Sequence, residues 1–109
     1  MRFAICNELF EGLTWADGLS RARTNGYTGV EVAPFTLGSD AYSITQATRR
    51  AYRQAVDQEG LEIVGLHWLL AKTQGYHLTT REAAVRQRTT DYLRALIALC
   101  HDLGGHILV

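Results

Sequence analysis

Leu61-Glu62-Ile63-Val64-Gly65-Leu66-His67-Trp68 is the stretch on which the fold turns. It is apolar nearly throughout, which suits a strand covered on both faces, and it ends on a histidine and a tryptophan. Three other β-like runs frame it: Phe3-Ala4-Ile5-Cys6-Asn7, Gly29-Val30-Glu31-Val32-Ala33 and His106-Ile107-Leu108-Val109. The first strand is expected over 2–7, and Pro34 ends the second. Helical patterns separate the runs. The first spans 14–24, with Thr14 and Asp17 as a capping pair, Trp15, Leu19 and Ala22 as the buried stripe, and Asn25-Gly26 as the stop. The second spans 43–59, with Ile44, Ala47, Ala51, Ala55 and Val56 inward and Gly60 at its end. The third opens on a Thr79-x-x-Glu82 capping box and runs to about Leu103. Val85, Thr89, Tyr92, Leu96, Cys100 and Leu103 share one face, and Gly104-Gly105 closes it.

The order β-α-β-α-β-α-β implies an α/β fold of parallel strands joined by right-handed crossovers. An open doubly wound sheet and a closed (β/α) barrel share this pattern. The glycine-rich phosphate fingerprint of dinucleotide-binding sheets is absent after the first strand, where Asn7-Glu8-Leu9-Phe10 stands instead. That favours the barrel. The fourth run coincides with the last residues, so 1–109 is expected to be one domain, the N-terminal half of such a barrel and incomplete.

Hydrophobic residues make up 47% of the 109 residues and charged ones 20%, which places the chain among globular proteins. The formal net charge of zero removes any general electrostatic attraction to nucleic acid or an anionic membrane. Arg49, Arg50 and Arg53, and Arg81, Arg86 and Arg88, lie in helical stretches among acids and polar groups, and read as solvated outer faces. No run approaches the ~18 apolar residues of a membrane span, and no signal peptide is visible at the N-terminus. Cys6 and Cys100 have no metal or redox spacing and read as buried free thiols of a cytoplasmic protein. No nucleophile motif is present.

The opening Met1-Arg2-Phe3-Ala4-Ile5-Cys6-Asn7, then Gly26-Tyr27-Thr28-Gly29-Val30-Glu31, then Gly60-Leu61-Glu62-Ile63-Val64-Gly65-Leu66-His67 resemble the sugar-phosphate isomerase/epimerase family. This is the xylose-isomerase-like TIM barrel group, which includes ketose 3-epimerases and endonuclease IV relatives. Residues 86–99, followed by Asp102-Leu103-Gly104-Gly105, are similar to that family's third helix and its approach to strand four. The resemblance implies proton transfer at a carbon next to a carbonyl, with paired glutamates moving the proton. It also implies a divalent metal (manganese, magnesium, cobalt or zinc) that polarises the oxygens. In the family that metal is held by carboxylates and a histidine from strands five to eight. None of those strands lies in this chain, so no catalytic or metal-binding residue carries over, and the chain alone is expected to bind no metal.

What carries over is the pocket wall at the C-terminal strand ends, with Asn7, Glu31, His67 and Trp68 as candidate sugar-binding residues. Glu31 is a carboxylate inside an apolar strand; it either contacts a substrate hydroxyl or forms an ion pair, with Arg2 or His67. His67 either bonds a sugar hydroxyl or is a core histidine satisfied by a carbonyl, while Trp68 offers a ring to stack on a sugar face. Asn7 binds a hydroxyl or caps a loop, and Glu8 is a secondary candidate. His77 reads as a loop histidine, with a lid as the alternative. Cys100, His101 and His106 match no closed zinc site. Trp15, Tyr52 and Tyr92 read as packing residues.

The expected partners are a small sugar and a second copy of the chain, because strands one and four are unpaired edges. Two rival readings stand beside the enzyme. One is a truncated, inactive half-barrel that self-associates. The other is a relative that cleaves abasic DNA, against which the neutral charge speaks.

Overall fold

Strand order separates the two architectures. In the computed structural model, which describes residues 1–109, the elements are β1 (Ala4–Cys6), α1 (Trp15–Thr24), β2 (Gly29–Val32), α2 (Gln46–Gln58), β3 (Glu62–Leu66), α3 (Ala83–Leu103) and β4 (Ile107–Leu108). Single 3-10 turns follow β1 at Asn7–Phe10 and β2 at Pro34–Thr36. All strand pairs are parallel, in the order β1-β2-β3-β4. A doubly wound sheet reverses its order at a switch point; this one advances in a single direction. Right-handed crossovers that never reverse place every helix on the same face of the sheet. Accordingly α1 packs beside α2, α2 beside α3, and both α2 and α3 against β3. This is the winding of the first half of a (β/α) barrel.

The core lies between sheet and helices. Val30 and Val32 from β2, and Ile63 and Leu66 from β3, pack with Leu19, Ala22, Tyr52, Val56, Tyr92, Leu96, Leu99 and Leu103. Each aliphatic side chain buried this way contributes about 1.5–3 kcal/mol. Since Val30 and Val32 face the helices, the pleat turns Glu31 to the opposite face. In β3 the alternation is broken. Val30 pairs with Ile63 but Glu31 with Gly65, leaving Val64 as the extra residue of a bulge. The bulge returns Leu66 to the core and puts His67 on Glu31's face. Gly65 is needed there because a Cβ would run into the Ile107 carbonyl oxygen.

Several local expectations hold. Thr14 caps α1 by accepting from the Asp17 N–H, Gly26 takes the left-handed stop at φ 86°, and Gly104 closes α3 at φ 88°. Thr89, Tyr92, Leu96, Cys100 and Leu103 are buried along α3 as expected. Others are corrected. The strands are shorter than the apolar runs. α2 begins at Gln46 rather than 43, because Asp40 accepts the Tyr42 and Ser43 N–H groups in a turn and Thr45 is the cap. Its inward face is set by Tyr52 and Val56, while Ala47 and Ala51 are exposed; the large side chains define the stripe and the alanines are neutral markers. The Thr79–Glu82 box does not form. Glu82 precedes α3 without a side-chain cap, and its N–H bonds the Thr80 hydroxyl. Trp15 is 38% exposed and meets Tyr52 edge-on at 5.1 Å instead of filling the core. Arg49 is not on a solvated face: it bonds Asp102 at 2.7 Å and pins α2 to α3. No helix is long and apolar enough to cross a membrane.

Candidate functional site

The C-terminal ends of β1, β2 and β3 converge on the face away from the helices. β1 delivers Cys6, β2 delivers Glu31, and the residue after β3 is His67. The 3-10 turn after β1 brings Glu8 across to β3. There His67 Nε2 lies 3.1 and 3.0 Å from the two Glu8 carboxylate oxygens. His67 is buried, whereas Glu31 is half-buried. His67 Nδ1 stands 3.8 Å from Glu31 Oε2 and has no hydrogen-bond partner. The Cys6 thiol points to the same Glu31 oxygen at 3.9 Å. Burial first, then the Glu8 and Glu31 carboxylates, push this thiol's pKa up. The chain thus gathers one imidazole, two carboxylates and one thiol at the sheet's carboxyl end.

The four sequence candidates separate. Glu31 and His67 come together; Arg2, the other possible partner of Glu31, pairs with Glu62. Asn7 is engaged elsewhere. Its amide donates to Thr36 Oγ1 at 2.7 Å and Tyr52 OH at 3.2 Å, and its carbonyl accepts from the Ala33 N–H at 2.8 Å. It ties the β1 and β2 turns together. Trp68 is 62% exposed and sits in the left-handed region at φ 56°, a conformation a bulky residue rarely adopts.

Two participants were under-read in the sequence. Glu8 partners the buried histidine directly. Cys6 is half-buried beside Glu31 instead of inert in the core. Neither had a spacing signal, because the contacts join residues of different strands. Cys100 is buried as expected and donates to the Ile107 carbonyl. His101 is exposed beside Asp102, and His77 is exposed in its loop.

Next to this cluster a cleft of about 260 Å³ opens between the β1 turn and α1, lined in part by Asn7, Glu8, Trp15, Phe35, Tyr52 and Lys72. Lys72 Nζ lies 4.3 Å over the Phe35 ring. The volume falls below the ~300–1,000 Å³ of drug-sized sites and suits a small molecule. Glu8 belongs to both the cleft and the His67 cluster.

A one-directional parallel sheet with its polar groups at the carboxyl strand ends defines a (β/α)-barrel protein. The chain belongs to the xylose isomerase-like TIM barrel family, whose model matches residues 19–109. It is similar in structure to a D-psicose 3-epimerase solved in the presence of D-fructose, with TM-score 0.78 and 15% identity over 99% of this chain and 36% of that one. It is likewise similar to D-psicose 3-epimerase from Clostridium cellulolyticum H10 solved with D-tagatose, with TM-score 0.76, 11% identity and the same coverage of both chains. At these identities the likeness shows the fold, and the chain spans about a third of either structure. No curated protein matches the sequence.

Of the divalent metals that the family resemblance implies, magnesium and manganese favour oxygen ligands. A thiol, a carboxylate and an imidazole do not fit those ions; they fit zinc or cobalt.

Proposed function

We propose that this chain forms the first wall of a sugar isomerase or epimerase, whose reaction is proton transfer at a carbon next to a carbonyl. The observation that carries the reading is the Glu31–His67–Glu8 cluster at the carboxyl ends of β1–β3, where (β/α) barrels bind substrate. The family membership and the two epimerases of similar fold, one solved in the presence of D-fructose and one with D-tagatose, support it.

In this reading Glu31, half-buried on the open face, accepts a hydrogen bond from a sugar hydroxyl. His67, its ring held by Glu8, fixes the polar end of that contact. Trp68 offers an exposed ring for the apolar face of the sugar. Asn7 lines the cleft and holds it in shape. When bound, the metal of the family would polarise the carbonyl. The proton-moving glutamates and that metal's ligands are assigned to strands beyond the four present. On the same reading the chain is one part of a larger barrel, and its open β1 and β4 edges favour pairing with another copy.

The test is saturation-transfer NMR of the 109-residue chain with D-fructose and D-tagatose. Transfer to the sugar protons is expected, and is weakened in Glu31→Gln and Trp68→Ala. Absence of transfer from the folded wild-type chain, or transfer in both variants unchanged from wild type, overturns the assignment.

A further inference from the structure

We propose that Cys6, Glu31 and His67 form a binding site for a zinc-type divalent cation. Its ligands are the Cys6 thiolate, a Glu31 carboxylate oxygen and His67 Nδ1, with a fourth position left open.

The argument starts at the buried histidine. Glu8 faces Nε2 with both carboxylate oxygens. An ionised carboxylate only accepts, so Nε2 carries the hydrogen, and in a neutral imidazole the lone pair is then on Nδ1. That atom is buried and unpartnered, on a side chain only 7% exposed. Its neighbour, Glu31 Oε2, is also an acceptor, at a distance beyond a hydrogen bond. In that form two acceptors face each other, and a cation between them would pair both. The Cys6 sulfur completes the triangle: the three donor atoms all lie within 4.8 Å of one another.

A tetrahedral zinc with bonds of about 2.0–2.3 Å holds its ligand atoms roughly 3.3–3.8 Å apart. The triangle needs to contract by about 1 Å or less, within the reach of side-chain rotation at Cys6 and Glu31. Glu8 supplies the outer carboxylate that commonly orients a metal-bound histidine and fixes its tautomer. The thiol selects a softer ion over magnesium or calcium. Binding converts the Cys6 S–H to a thiolate and releases its proton to water. The dication then offsets the thiolate and the Glu31 charge. This donor set stands whether or not a sugar binds.

The test uses cobalt(II) as the spectroscopic probe on the reduced 109-residue chain. At one equivalent a sulfur-to-cobalt charge-transfer band in the near ultraviolet is expected, lost on adding zinc. Cys6→Ser abolishes the band and Cys100→Ser leaves it. Glu8→Gln weakens zinc binding by about tenfold or more. A measurement needing no variant accompanies these: zinc slows iodoacetamide labelling of Cys6 in the wild-type chain while Cys100 is unaffected. The proposal is overturned if no band forms, if the band depends on Cys100, or if zinc leaves Cys6 labelling unchanged. The last result would mean that a proton, and no metal, occupies the Nδ1 position.

Discussion

Replacing Asn7 by alanine removes three hydrogen bonds at one position, and their energetics decide whether the residue is a sugar ligand or a structural tie. Thr36 loses little, because its hydroxyl keeps its own bond to the Ala33 carbonyl. Two groups are orphaned: the Ala33 N–H, on a residue with no exposure, and the hydroxyl of Tyr52, 1% exposed. An unmet buried polar group costs about 1–3 kcal/mol, so Asn7→Ala should destabilise the chain by about 2–6 kcal/mol. For a domain of this size that corresponds to a fall in Tm of about 10–25 °C. Asn7→Asp retains the acceptor for Ala33 and gives the Tyr52 hydroxyl an acceptor, so it should lose roughly half as much or less. Urea denaturation followed by tryptophan fluorescence measures both, with the midpoint moving at constant slope. A change within about 0.5 kcal/mol for Asn7→Ala would refute the reasoning. If ketohexose contact were lost at the same time, Asn7 would be a direct sugar ligand.

Other outcomes follow from the same geometry. Gly65→Ala drives a Cβ into the Ile107 carbonyl, so β4 must move; a cost of about 1–3 kcal/mol or more is expected, with faster hydrogen exchange at the Val109 amide, which bonds the Leu66 carbonyl. Asp102 has its pKa lowered, chiefly by hydrogen bonds from Arg49 and then Gln46. A depressed carboxylate contributes stability above its unfolded pKa and loses it as pH falls through the folded value. Acid titration of Asp102→Asn should therefore show a shallower loss below about pH 4, and an unchanged acid limb would contradict the pinning of α2 to α3. In metal-free buffer Cys6 should alkylate more slowly at pH 8 than a free thiol, because its pKa is raised; mass mapping of the labelled peptide checks this. Light scattering of the isolated chain should report self-association through the β1 and β4 edges, and a stable monomer at all concentrations would count against it.

Where structure follows from neighbours in sequence, the residues alone were sufficient. Thr14 before Asp17, Asn25-Gly26 and Gly104-Gly105 punctuate helices through bonds spanning a few residues, and the alternation of apolar runs with helical stripes implied parallel strands. The absence of a glycine-rich turn after β1 pointed to the barrel. The alanine-rich α2 misled because alanine has little preference for either face, and the packing of Tyr52 settled it. The Thr79–Glu82 pattern misled because the Thr80 hydroxyl accepts the Glu82 N–H that Thr79 would have capped. Glu31 and His67 were legible as polar residues in apolar strands, but their relation was not. The Val64 bulge shifts His67 by one residue onto the face of Glu31, and the turn after β1 carries Glu8 to its ring. Side-chain period in a strand is local, whereas register between strands belongs to the sheet. The sequence by itself therefore determined the order of elements and the polar residues available at the strand ends. The tertiary structure alone decided which of them meet: Cys6, Glu8, Glu31 and His67 converge, while Asn7 braces the turns and Trp68 faces outward.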